Sequence, residues 1–162
     1  MTLKTIFLDR DGVINKEVKY LFRIADFEFV EGVFDACHYF HNLDYKIIII
    51  SNQSGIAKGY YNENDYQRLT EWMLNQFNKK GISILDILYC PHGPESKCNC
   101  RKPKPGMLLE AKYKYNISMD DSWMIGDKET DIEAANLAGI TNTILVRSGH
   151  LINESNSNSK FT

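Results

Sequence analysis

Lys4-Thr5-Ile6-Phe7-Leu8-Asp9-Arg10-Asp11-Gly12-Val13-Ile14-Asn15 starts as a short apolar run and breaks into two aspartates one residue apart. The same design returns along the chain. Lys46-Ile47-Ile48-Ile49-Ile50 runs into Ser51-Asn52-Gln53-Ser54-Gly55, Ile84 to Tyr89 into Cys90 and His92, and Ser122 to Ile125 into Gly126-Asp127. Asn142 to Val146 is a fifth such run. All are near-continuous in Ile, Leu and Val rather than alternating, which suits parallel strands covered on both faces. Between them lie stretches of helical period: Val33, Cys37 and Phe40; then Tyr66, Leu69, Met73 and Phe77 behind a plausible cap at Asn62. Leu108, Ala111 and Tyr115 follow Pro105, and Ile132 and Ala135 lead to Gly139. Strand and helix in alternation predict an α/β fold, a three-layer sandwich on a central parallel sheet.

The 162 residues suit a single domain spanning 1–162, with the Asn/Ser-rich end, 153–162, expected as a flexible tail. There are 19 Lys and Arg against 21 Asp and Glu, so the chain lacks the cationic surplus of a general nucleic-acid binder. No apolar run reaches the ~18 residues that would suggest a membrane span. The opening Met-Thr-Leu-Lys-Thr leads straight into a strand-like run, so no signal peptide is expected.

In a sheet of this kind the chemistry belongs at the carboxyl ends of the strands. Asp9 and Asp11 there can share one cleft, where a divalent cation would relieve their repulsion; Asp oxygens suit Mg²⁺. One could then act as nucleophile and the other as general acid and base. Ser51, Asn52, Gln53 and Ser54 offer a hydroxyl and amides that can bond an oxyanion without adding charge. Arg101-Lys102-Pro103-Lys104 is a cationic loop able to hold phosphate, Arg as a fork and Lys as a point charge. Gly126-Asp127-Lys128-Glu129-Thr130-Asp131 adds a third carboxylate at a helix start. Each element alone reads as an ordinary polar turn. Four of them on successive strand ends do not.

Three of the four cysteines, Cys90, Cys98 and Cys100, fall within eleven residues together with His92. A Cys₃His set suits tetrahedral Zn²⁺ with no open position, and clustered thiols suit a reducing cytosol better than a disulfide framework. Because Cys100 directly precedes Arg101 and Lys102, the zinc is expected to be structural, fixing the loop that presents both cations. Cys37 reads as a core thiol, and His38 with His41 as a solvated helix face.

Taken together these motifs resemble the haloacid dehalogenase superfamily of aspartyl-phosphate phosphohydrolases, from about Phe7 to Gly149. They are closer still to its D-glycero-D-manno-heptose 1,7-bisphosphate phosphatase branch. The shared features are Phe-Leu-Asp-Arg-Asp-Gly-x-Ile-Asn, Asn-Gln-Ser-Gly-Ile-Ala, the Cys/His cluster and Gly-Asp-Lys before a helix. The resemblance implies Asp9 as the nucleophile and Asp11 as proton donor and acceptor. It implies Ser51 and Lys102 on the transferring phosphoryl group, with Asn52 beside it. Asp9, the carbonyl of Asp11, and Asp127 would hold Mg²⁺. Glu17, Val18, Lys19, Tyr20, Gln53, Ser54, Arg101 and Lys128 would touch a sugar phosphate. It further implies a cytoplasmic monomer without a large cap domain, removing the C7 phosphate in the making of nucleotide-activated heptose.

Three departures stand out. The loop between His92 and Cys98 is short, as in the related histidinol-phosphate phosphatases. Val13 stands where many relatives have Thr, and relatives usually continue past the position of Thr162. Histidinol-phosphate phosphatase is the enzymatic rival, against which Asn52 to Ala57 and Phe27-Glu28-Phe29 speak. A non-catalytic zinc-bearing module is the rival of another class; the presence of Asp9, Asp11, Ser51, Lys102 and Asp127 argues against it.

Overall fold

In the computed structural model, residues 1–147 and the strand pair 160–161 are described. The strands are β1 (Thr5–Asp9), β2 (Lys46–Asn52), β3 (Asp86–Cys90), β4 (Trp123–Gly126), β5 (Asn142–Leu145) and β6 (Lys160–Phe161). The helices are α1 (Val33–Asn42), α2 (Glu63–Lys79), α3 (Gly106–Tyr115) and α4 (Glu129–Leu137). All strand pairs are parallel, in the order β3-β2-β1-β4-β5-β6.

The apolar runs alternate between two cores, which is why they read as continuous. Ile6, Leu8, Ile47 and Ile49 pack with Cys37 of α1 and Leu69, Met73 and Phe77 of α2. Phe7, Ile48, Ile50 and Met124 point the other way, onto Leu108 and Ala111 of α3 and Ala134 and Ala135 of α4. Burying one such Ile or Leu contributes about 2 kcal/mol, so a strand with both faces covered is fixed in register by its own side chains. Helix α2 begins where Asn62 Oδ1 accepts from Asp65 N at 2.9 Å and Asp65 returns the bond to Asn62 N at 3.0 Å. A reciprocal cap of this kind is worth about 1 kcal/mol.

The chain leaves β1 toward β2 and β3 on one side, then crosses to β4 and proceeds to β5 and β6 on the other. Neighbouring β1 and β4 therefore send their following loops in opposite directions, and a crevice opens at their carboxyl ends. Asp9 and Asp127 stand on its two sides.

Several strand ends shift by one or two residues from the sequence expectation; β2 runs on to Asn52, and β3 begins at Asp86 rather than Ile84. Ser122 stays outside β4 because its hydroxyl accepts from Thr5 N at 3.0 Å and donates to Ser118 O at 2.6 Å, closing a turn instead. At the C-terminal end, Lys160 and Phe161 form β6 against Ile144 and Leu145. The rest of 153–162, the stretch expected as a tail, lies outside the described residues. Among the described residues, no helix is long and apolar enough to cross a membrane.

Candidate active site

A cleft of about 380 Å³ opens over the β1/β4 crevice, lined among others by Asp9, Asp11, Glu17 to Leu21, Asn52 to Gly55, Arg101, Lys102 and Lys128. Residues expected on sequence grounds at four separate strand ends thus meet in one place. Ser51 lies just beneath them, 1% exposed, with its hydroxyl accepting from Gln53 Nε2 at 2.6 Å.

The floor is a buried charge cluster. Lys102 Nζ sits 2.8 Å from Asp9 Oδ1 and 2.6 Å from Asp131 Oδ1, and all three side chains are less than a tenth exposed. Two carboxylates around one ammonium hold the lysine above its usual range, their attraction outweighing the cost of burial. Burial, and then the charge of Asp131, pushes Asp9 well above the ordinary carboxylate range despite Lys102. Burial likewise pushes Asp127 up to about 6.

Asn52 prepares Lys102 for this position. Its Oδ1 accepts from Lys102 N at 3.0 Å and its Nδ2 donates to Lys102 O at 3.2 Å, so one amide grips the lysine backbone at both ends. Asp131, whose position was noted in the sequence without a role, is the residue that reading missed. Its Oδ2 accepts from Asp127 N at 3.1 Å and Lys128 N at 3.2 Å, capping α4, while Oδ1 holds Lys102. Spacing was the available signal: four residues past Asp127, at the third helical position, a carboxylate reaches back over the helix start. Gly126 makes this possible, since a Cβ there would lie 2.3 Å from Asp131 Cβ.

Asp11 is engaged differently. Its Oδ1 accepts from the buried Arg10 guanidinium at 3.0 Å and from Asn15 Nδ2 at 3.0 Å, and its Oδ2 accepts from Gln53 Nε2 at 3.0 Å. Gln53 is only 3% exposed, and its Oε1 accepts a short hydrogen bond from the Tyr61 hydroxyl. At the rim, Lys128 Nζ lies 3.3 Å from Glu17 Oε1. Tyr20 stacks on Tyr60 with centroids 4.1 Å apart, while Lys58 donates to its hydroxyl at 3.0 Å.

Two clusters fit metals. Carboxylate oxygens of Asp9, Asp127 and Asp131 come within 4.8 Å of one another, a hard oxygen set matching Mg²⁺ in chemistry. One of the three, Asp131, already has Lys102 and two backbone N–H groups as partners. Cys90, His92, Cys98 and Cys100 likewise bring their donor atoms within 4.8 Å. Cys90 Sγ lies 3.7 Å from Cys98 Sγ and 3.4 Å from His92 Nδ1, which is 3.4 Å from Cys100 Sγ. Tetrahedral zinc at ordinary bond lengths would space sulfurs about 3.8 Å apart and sulfur from nitrogen about 3.5 Å. The Cys₃His set therefore has the dimensions of a closed zinc site. Arg101, directly after Cys100, donates to His92 O at 3.4 Å.

A buried aspartate on a lysine, a second aspartate two residues on, and a carboxylate pair at the switch point define a phosphohydrolase of the haloacid dehalogenase type. A HAD-hydrolase-like family profile matches residues 99–160. A D-glycero-alpha-D-manno-heptose-1,7-bisphosphate 7-phosphatase of Photorhabdus laumondii is 48% identical, covering 96% of this chain and 89% of the relative. Its counterpart in Campylobacter jejuni is 49% identical over 90% of this chain and 84% of the relative. A D-glycero-beta-D-manno-heptose-1,7-bisphosphate 7-phosphatase of Photorhabdus laumondii is 42% identical over 93% and 84%. The D,D-heptose 1,7-bisphosphate phosphatase of B. bronchiseptica, solved with magnesium and phosphate, superposes with a TM-score of 0.86 at 28% identity, covering 99% of this chain and 92% of that one. The chain belongs to the heptose-1,7-bisphosphate 7-phosphatase family.

Proposed function

We propose that this enzyme removes the C7 phosphate of D-glycero-D-manno-heptose 1,7-bisphosphate. The observation that carries the reading is the buried Asp9–Lys102–Asp131 cluster beneath a cleft with cations at its rim, in a chain of this family. Asp9 attacks phosphorus in line with the departing C7 oxygen, and Asp11 delivers the proton that oxygen needs. Asp11 then takes a proton from the water that cleaves the aspartyl-phosphate, which releases phosphate and restores Asp9. Lys102 and Ser51 hold the transferring oxygens. Mg²⁺ held by Asp9, the Asp11 carbonyl and Asp127 would neutralise charge on the phosphoryl group. Asn52, Ser54, Arg101, Lys128 and the Glu17 to Tyr20 segment contact the sugar phosphate in this reading; Gln53, expected there too, is 3% exposed with its amide engaged by Asp11, Ser51 and Tyr61. Zn²⁺ on Cys90, His92, Cys98 and Cys100 is structural, fixing Arg101 and Lys102.

The alpha anomer is the favoured substrate: two relatives named for it are 48% and 49% identical, against 41–44% for those named for the beta anomer. The reading further takes the enzyme to be a cytoplasmic, single-domain monomer without nucleic-acid or membrane partners. Its product would feed nucleotide-activated heptose for a surface polysaccharide such as lipopolysaccharide. Phosphate release from both anomers and from histidinol phosphate, with Mg²⁺ and with EDTA, tests the proposal. Faster turnover of histidinol phosphate than of either bisphosphate would overturn it.

A further inference from the structure

Asp11 has two carboxylate oxygens in unlike surroundings. Oδ1 accepts from Arg10 Nη2 at 3.0 Å, Arg10 Nε at 3.3 Å and Asn15 Nδ2 at 3.0 Å, so its lone pairs are taken. Among the described residues Oδ2 has one donor, Gln53 Nε2 at 3.0 Å, and a carboxylate oxygen has room for two. The Gln53 amide could in principle sit either way round, and its neighbours decide. Its Oε1 accepts from the Tyr61 hydroxyl, with Arg10 Nη2 at 3.5 Å, so its NH₂ must face Asp11 and, at 2.6 Å, the Ser51 hydroxyl. Arg10, Gln53 and Tyr61 are 2%, 3% and 7% exposed, which leaves this arrangement little freedom to relax. The Tyr61 ring reaches Gln53 because Gly55 leaves room; a Cβ there would lie 2.2 Å from a ring carbon. Burial pushes the Tyr61 phenol up to about 12, so it stays a donor.

We propose that Oδ2 is the atom of Asp11 that carries the exchanged proton, and that Gln53, oriented by Tyr61 and Arg10, is its positioning residue. This rests on the reading of Asp11 as acid and base. Oδ1 is saturated with donors, so a proton bound there would lose hydrogen bonds. The remaining lone pair of Oδ2 is thus the position from which a proton can pass to the departing sugar oxygen.

The test compares kcat/KM for the heptose bisphosphate, whose alkoxide needs a proton, with that for 4-nitrophenyl phosphate, whose phenolate does not. Both are measured on the Mg²⁺-loaded full chain. Gln53→Met should lose about 10²-fold on the bisphosphate and no more than about threefold on the aryl phosphate. Tyr61→Phe, which keeps the ring and removes one oxygen, should lose about tenfold on the bisphosphate alone. If Gln53→Met fails to fold, Tyr61→Phe decides. Equal losses on both substrates would overturn the inference, placing Gln53 behind Ser51 and the transferring phosphoryl group. A wild type that turns over neither substrate would instead defeat the phosphatase reading itself.

Discussion

Lys102 Nζ rests 2.8 Å from Asp9 Oδ1, although 93 residues separate the two along the chain. Removing the ammonium leaves the buried Asp9 and Asp131 carboxylates without the cation between them. Lys102→Met should therefore cost about 3 kcal/mol or more of stability, as breaking a buried ion pair usually does. Added Mg²⁺ should recover part of that in a thermal melt. A variant as stable as the wild type in EDTA would show that the cluster contributes chemistry alone.

The two aspartates at the end of β1 should separate by substrate. Asp9→Asn should retain the fold and lose nearly all turnover, since an amide is a poor nucleophile and a poor metal ligand. Asp11→Asn should keep measurable activity on an aryl phosphate while failing on a sugar phosphate. Steady-state assays on both substrates check this, and a rate above a few per cent for Asp9→Asn would exclude an aspartyl-phosphate.

Zinc content is accessible directly. Elemental analysis should find about one zinc per chain, retained through dialysis that strips Mg²⁺. Cys98→Ser should lower Tm and raise KM, because Cys98, Asn99 and Cys100 lead into the turn carrying Arg101 and Lys102. Protein purified without zinc, with full activity and an unchanged melt, would reject the site.

Asp86 gives a pH prediction away from the metals. Burial tends to raise its carboxyl, but hydrogen bonds from the Tyr115 hydroxyl at 2.6 Å and Lys114 at 3.1 Å outweigh this and hold it below the ordinary range. A carboxylate depressed in the folded state stabilises above its unfolded value and loses that contribution as pH falls through its folded one. Asp86→Asn should thus cost about 1 kcal/mol at pH 7, with the gap from wild type closing in acid below pH ~4. A gap that widens on acidification would contradict the assignment.

Arg101 should discriminate between substrates. Arg101→Ala should lower kcat/KM for the bisphosphate by ~10²-fold, the loss of a charge-assisted fork, and much less for a small monophosphate. A uniform loss would place Arg101 on the transferring phosphate.

The sheet and its helices were legible because each strand run is apolar on both faces and each helix repeats at its own period. The four strand-end motifs were legible because catalytic residue types follow those runs at once. What the chain order hid was partnership. Gln53 and Asn52 are adjacent and chemically alike, yet one faces Asp11 and the other grips the Lys102 backbone. Asp131 looked like any acid in a first helical turn until Lys102 arrived from a different loop. Arg10 sits between two aspartates in the sequence, and only its 2% exposure separates a buried clamp from a surface charge. Such pairings depend on which loops converge, and local composition carries no record of that.

Gly126 carries no functional group, so a survey of reactive side chains would pass over it. Yet Asp131 occupies the space a methyl group would need there, and Asp131 holds Lys102. Even Gly126→Ala would have to displace the helix cap, and the displacement would travel through the lysine to the nucleophile. One added methyl group is here enough to disturb the reacting end of the fold, a constraint set by the shape of the floor rather than by any reaction step.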